Sequence, residues 1–243
     1  MNEGRSVRPK VVCHYLLEKM KLAGVNRAFI ILRDGKWDIP AYLDDGTMVD
    51  MYLAYLMVHV PFGPSYTLNQ AYPFVQDALV VFGFPDILFE PDDAFIKLLN
   101  RQETTGADIV LGLFPADRPQ AMDMVEIDKH GKARSIVIKP TCTDLRDAWI
   151  IAVWTPVFTR FLHAYIQDHQ SNRSPSMKWD LHGQQDLSVG RVFQAAVNKG
   201  LHVQTIRFSQ HTFLDIGTPE NLFLAVSDPR FSSMFFKTNP KTV

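Results

Sequence analysis

The sequence has too few cysteines for a disulfide framework, no apolar run long enough to cross a bilayer, and no excess of either charge sign. Its 243 residues contain two cysteines, Cys13 and Cys142. His14 beside Cys13 has no second pair of metal ligands nearby, so both cysteines read as buried, reduced thiols of a cytoplasmic protein. With 25 Lys and Arg against 26 Asp and Glu, the formal net charge is −1. That balance excludes a general attraction to nucleic acid or to anionic membrane, so any phosphate must be held by a local site. The longest apolar stretches, Ala78 to Phe84 and Ala148 to Trp154, fall far short of the roughly 20 residues that span a bilayer. No nucleic-acid or membrane partner is expected. The first eight residues, Met1 to Arg8, read as neither a signal peptide nor a strand.

Short apolar runs alternate with amphipathic stretches from end to end, which indicates one α/β domain over 1–243. Leu16, Leu17, Met20 and Leu22 recur at helical spacing and stop at Gly24, a natural helix end. A strand over Ala28 to Leu32 follows and closes at Asp34-Gly35. Ala78 to Phe82 reads as a strand covered on both faces, and Asp92-Asp93 then precedes a helix through Phe95, Leu98 and Leu99. Ala107 to Phe114 is the next buried strand. Met122 to Asp128 and Ala133 to Lys139 flank His130-Gly131 as a hairpin. Ala148 to Trp154 is a further strand, followed by a helix through Phe158, Phe161, Leu162 and Tyr165. Gln167 to Gln185 is polar and reads as a long loop. A helix (Leu187 to Val197), a strand (His202 to Phe208) and a helix after Pro219 complete the chain, and residues 226–243 read as a tail. Met48, Met51 and Met57 look like core filler. His59, His163, His169 and His182 have no nucleophile beside them and read as surface or packing residues.

Five segments, in order, carry a resemblance. Thr212-Phe213-Leu214-Asp215-Ile216-Gly217-Thr218-Pro219-Glu220-Asn221 resembles the W-x-D-I-G-T-P-E-D-Y motif of the sugar-phosphate nucleotidylyltransferases. Lys10 to Val25 is similar to that family's first helix, with Tyr15, Leu17, Glu18, Ala23, Gly24 and Val25 in step. Ala78 to Phe89 resembles the strand ending in V-x-G-D-x-L-F, with Asp86 at the acidic position. Ile138-Lys139-Pro140 falls where the family writes E-K-P, and Asp147 to Phe158 follows its N-A-G-I-Y-x-F-x-P-x-F segment. The likeness runs from about residue 10 to residue 225.

The resemblance implies a Rossmann-like, three-layer α/β/α fold with a mixed, mostly parallel sheet. It also implies transfer of a nucleotidyl group from a nucleoside triphosphate to a sugar 1-phosphate, with dTTP and glucose 1-phosphate as the first candidates. The negative charges in that reaction repel, and a metal ion and a lysine offset the repulsion. Magnesium takes hard oxygen ligands and keeps several waters, so two carboxylates from separate loops suffice. By resemblance these are Asp86 and Asp215. Lys139 is the catalytic point charge on the sugar phosphate, with Asp123, Asp147 and Trp149 beside the sugar, and Gly63 and Ser65 hold the nucleotide. Each also has a plain reading: Asp215 as a residue at a helix start, Asp86 as a turn residue, Lys139 as a solvated charge.

Several family features are absent. There is no opening apolar strand and no G-x-G-T-R-x-x-P loop, so the fold is expected to miss its first central strand and leave two inner strands with unpaired edges. Trp149 and Asp123 stand where glycine is usual, and Ile138 replaces an acidic residue. An indole in place of a hydrogen atom fills space that a sugar would take. Two readings follow: a nucleotidylyltransferase impaired in this chain, or a non-catalytic relative that binds a nucleotide or sugar nucleotide or serves a structural role. A glycosyltransferase ranks last, because Asp86-Ile87-Leu88 supplies no D-x-D motif. A homo-oligomer stays open.

Overall fold

The computed structural model describes residues 10–59, 63–171, 187–210, 212–217 and 219–227. Helix α1 (Val12–Leu22) ends where Gly24 takes φ +87°, and strand β1 (Arg27–Arg33) follows. After a short helix α2 (Asp38–Leu43), strand β2 (Tyr52–Val58) pairs parallel with β1. Helices α3 (Pro64–Asn69) and α4 (Tyr72–Val75) lead into β3 (Val80–Gly83) and β4 (Ile87–Phe89). Helix α5 (Ala94–Thr105) precedes β5 (Ile109–Pro115), and the hairpin β6 (Asp123–Ile127) and β7 (Ala133–Ile138) turns at His130-Gly131 as its sequence requires. Then come β8 (Asp147–Trp154), α6 (Pro156–Ser171), α7 (Val189–Asn198), β9 (Val203–Arg207), β10 (Phe213–Asp215) and α8 (Pro219–Ser227).

The main sheet has six strands in the order β7-β6-β8-β5-β9, with β3 also pairing β8. Strands β3, β5, β6 and β9 share one direction and β7 and β8 oppose it, so the sheet is mixed. The expected parallel bias holds for strand directions only. Because β8 lies among the strands it opposes, the ladders themselves are mostly antiparallel, and only β5–β9 is a parallel pair in this sheet.

Alternation along the central strands divides the core into two layers, one on each face. Val110 and Phe114 of β5 join Phe95 and Leu98 of α5 and Leu16 of α1, whereas Ile109, Leu111 and Leu113 join Phe158 of α6 and Val192 and Phe193 of α7. The alternation slips once. Gly112 pairs with Ile151 but Leu113 pairs with Trp149, which leaves Ile150 as the extra residue of a bulge. The bulge turns Trp149 to the same face as Ala152 and Trp154, three and five residues on.

The strands beside the expected gap are less buried than their sequences suggest. All four residues of β3 are only half-buried, and so are Ala28, Phe29, Ile30 and Ile31 of β1. Among the described residues β1 pairs with β2 alone and β3 with β8 alone. Both strands nevertheless serve one layer: Ala28, Ile30 and Val81 pack on the same core as α1. Leu16 of α1 lies so near β3 that a Cβ on Gly83 would come 2.7 Å from its Cδ1. The helix therefore bridges two sheets that no ladder joins among the described residues.

Other expectations need correction. Met51 is buried, but Met48 and Met57 are exposed; Met57 lies on β2, which the sequence reading missed because Tyr52 to Val58 lacks clean alternation. Cys142 is exposed and Cys13 half-buried, both as free thiols. Residues 167–171 continue α6, and the rest of the long polar stretch, with His182, lies outside the described residues. No helix is long and apolar enough to cross a membrane among the described residues.

Candidate functional site

The chain leaves β3 at Gly83 and reaches β4 through Phe84, Pro85 and Asp86. Strand β4 then pairs antiparallel with β10, so Asp215 stands opposite Ile87, and the Ile216 N–H donates to the Asp86 carbonyl at 2.9 Å. Two carboxylates distant in the chain meet over Gly217. A Cβ there would lie 3.0 Å from Asp86 Oδ2 and 3.1 Å from Asp215 Oδ1. Only glycine leaves that space free. The Gly217 N–H donates to Asp215 Oδ1 at 2.9 Å and fixes that carboxylate. Asp86 is exposed by surface area, yet the protein atoms around it desolvate its carboxylate in part, and this, with a further contribution from the Asp215 charge, raises its pKa above the usual carboxylate value. Two converging hard oxygens suit magnesium, which commonly takes one or two carboxylates and fills its other positions with water and phosphate. Among the described residues no group of three metal-binding side chains exists.

A second cluster adjoins this one. Gly83 is opposite Ile151, so the start of β8 borders the segment after β3, and the rings of Phe84 and Trp149 lie 5.7 Å apart. Met124 pairs with Ala148, and Asp123 pairs with Ile138, next to Lys139. Trp149 is 5% exposed and is boxed by Phe82, Phe84 and Phe193. Its indole nitrogen and Asp123 Oδ1 are both buried. Burial raises the Asp123 pKa, against the opposing pull of Lys139, the Trp149 indole and Arg191. Lys139 is exposed and holds φ at +42°, a sparsely populated conformation for a non-glycine residue, with its N–H donated to the Met122 carbonyl at 3.1 Å.

Helix α7 closes this side. Its first turn is capped by Ser188 Oγ, which accepts from the Arg191 N–H, and Gln194 Oε1 accepts from the Ile136 N–H of β7. A Cβ on Gly190 would lie 2.2 Å from Asp123 Oδ2, so the carboxylate rests directly on the glycine backbone. The segment entering α7 also reaches α3: the Ser65 N–H donates to the Leu187 carbonyl at 3.2 Å. Gly63 precedes α3 with φ +101°, and Ser65 is fully buried with its hydroxyl unpartnered. Asp147 is buried and its carboxylate is already engaged by Arg207 at 2.8 Å.

The fold therefore brings Asp86, Asp215, Asp123, Lys139, Asp147 and Trp149 to one edge of the main sheet, with Gly63 and Ser65 linked to it through α7. An open α/β sheet binds ligands beyond such strand ends. Sequence reasoning passed over Gly190 and used Gly217 only as part of a motif. Nothing in Ser188-Val189-Gly190 marks it as the seat of a carboxylate from a different strand.

No family model and no curated protein matches the sequence. Solved structures do match in three dimensions. A Bacillus anthracis protein described as a glucose-1-phosphate thymidylyltransferase, in complex with a sucrose, superposes with a TM-score of 0.73 at 17% identity, covering 94% of this chain and 83% of that one. An inositol-1-phosphate CTP transferase from T. maritima gives 0.65 at 18% identity, over 86% and 78%. A UDP-glucose pyrophosphorylase complexed with UDP-glucose gives 0.67 at 12% identity, over 88% and 85%. These neighbours are sugar-phosphate nucleotidylyltransferases, and this chain has their mixed α/β fold.

Proposed function

We propose that the chain acts in nucleotidyl transfer between a nucleoside triphosphate and a sugar 1-phosphate, giving a nucleotide sugar and pyrophosphate. The observation that carries this reading is the meeting of Asp86 and Asp215 over Gly217 at the edge of the sheet. Asp86 and Asp215 would hold magnesium, which when bound neutralises phosphate charge during transfer. Lys139, exposed beside Asp123, would hold the sugar phosphate as a compact cation. Trp149 and Asp123 would border the sugar. Gly63 would line the nucleotide side through its backbone, and Ser65, fully buried with its N–H given to the Leu187 carbonyl, would act by holding that segment in place. Asp147 would act by fixing Arg207 at the same edge. The first substrates to test are dTTP and glucose 1-phosphate, with CTP and UTP as alternatives suggested by the named neighbours. A cytoplasmic location fits the free thiols.

Pyrophosphate release from dTTP, CTP or UTP with glucose 1-phosphate and magnesium tests the reading, and Asp215→Asn is expected to remove most of the rate. Release that is unchanged in Asp215→Asn overturns the role given to the acidic pair. A second reading, binding without turnover, is favoured by the indole that fills the sugar side. Calorimetric uptake of a nucleotide with no pyrophosphate release from any of the three would support it.

A further inference from the structure

Strand β2 ends the two-stranded sheet. It bonds to β1 in an unbroken parallel ladder from Arg27–Tyr52 to Arg33–Val58, and among the described residues no other backbone group is bonded to residues 53–58. A strand edge offers a row of backbone donors and acceptors to any matching strand, and proteins usually blunt it with a charge, a proline or a bulge. Strand β2 has none of the three. Met51 to Val58 contains no charged residue and no proline, and the ladder to β1 has no shift in register. Tyr52 is 80% exposed and Met57 45%. By contrast, α1 packs across the space between β1 and β3.

We propose that the outer edge of β2 pairs antiparallel with the β2 edge of a second copy of this chain, giving a dimer with a continuous four-stranded sheet in the order β1-β2-β2-β1. The contact is independent of the nucleotidyl transfer proposed above. Charge at the two ends of the strand favours an identical partner. Asp50 stands just before the uncharged stretch and His59 just after it, and both are exposed. Antiparallel pairing about a two-fold axis sets Asp50 of each copy within one residue of His59 of the other, whereas in-register parallel pairing sets Asp50 beside Asp50. Lys21 Nζ already lies 2.7 Å from Asp50, but the Asp50 side chain keeps 89% of its exposure, which leaves room to accept from an imidazole N–H.

The side chains are also self-complementary. A two-fold axis normal to the sheet keeps each face on its own side, so Tyr52 meets Leu56 or Val58 of the other copy, an aromatic-aliphatic pair that covers the exposed ring. Leu53 and Tyr55 stay on the opposite face, against the core that includes α1. Each chain has one β2 edge, so the pairing closes at two copies. One strand from each copy makes a small interface, and the dimer is therefore expected to form at micromolar protein and to dissociate on dilution.

Sedimentation velocity of the 243-residue protein, run from about 1 to about 300 µM, tests the proposal. The mass is expected to rise with concentration from that of one chain to that of two. Tyr52→Lys and Met57→Lys should each weaken association by about 10-fold or more, because a lysine blocks an edge. Both side chains are exposed, so circular dichroism and melting temperature should stay at wild-type values. Asp50→Lys and His59→Asp should each weaken the dimer, and the two combined should restore it to within about threefold of wild type, since the charges then oppose again across the axis. A single chain at every concentration overturns the proposal and leaves the edge to a strand of a different protein. A dimer that both lysine variants leave intact, or charge variants that their combination does not rescue, overturns it equally.

Discussion

Asp86 carries an electrostatic cost when ionised, from partial desolvation and from the Asp215 charge beside it. Its raised pKa means the folded protein binds a proton there more readily than the unfolded chain does. The sign follows: that contribution is full below the ordinary carboxylate value and is lost as pH rises through the raised one. Asp86→Asn is therefore expected to melt at a higher temperature than wild type at pH 7 without magnesium, with the difference shrinking toward pH 4; thermal scans across that range check it. Adding magnesium at pH 7 should raise the melting temperature of wild type and leave Asp86→Asn unmoved. Trp149 pulls the other way. Removing its fully packed ring in Trp149→Ala is expected to cost about 3–5 kcal/mol in denaturant unfolding, so enlarging the sugar side sacrifices core packing. Gly217→Ala should weaken the magnesium-dependent stabilisation by forcing apart the two oxygens that flank the glycine, while urea unfolding without metal changes little.

At the scale of elements, the edges of β1 and β3 that have no partner among the described residues separate what composition suggests from what pairing delivers. A run such as Ala28 to Leu32 is apolar enough for a central strand, but a strand is buried on both sides only when both edges have neighbours. Hydrogen exchange should show this directly, with the unpaired amides of β1 and β3 exchanging faster than those of β5 and β8, which are paired on both sides. Equal protection across all four strands would contradict the open edges. Much of the rest was legible: the hairpin turn at His130-Gly131, the stop of α1 at Gly24 and the helix after Asp92-Asp93 are local signals that tertiary contacts had no reason to override. Strand β2 was not legible, because Tyr52 and Met57 point apolar surface outward. The site divided along the same line. Asp86 and Asp215 were found through local motifs, whereas the approach of Gly190 to Asp123 depends on how α7 docks against β7, which no local pattern encodes.

For the whole molecule, two core layers on opposite faces of one sheet give stability without disulfides, and the ion pairs contribute little by comparison. Half of those described, such as Arg160 with Asp77 and Lys21 with Asp50, have both side chains substantially exposed, where such pairs are worth about 0–1 kcal/mol. Unfolding should accordingly be nearly insensitive to salt between low and physiological ionic strength, as a denaturant midpoint at each condition would show. A large fall in the midpoint with added salt would mean that charge pairing matters more than packing. The short ladder between β4 and β10 has a consequence in time. Asp86 precedes β5 to β9 in the chain and Asp215 follows them, so a polypeptide still being synthesised holds the first carboxylate before the second exists. The like charges are brought together only when β10 docks onto β4, after every described strand of the main sheet has been synthesised, so their repulsion is met by a scaffold already able to hold them.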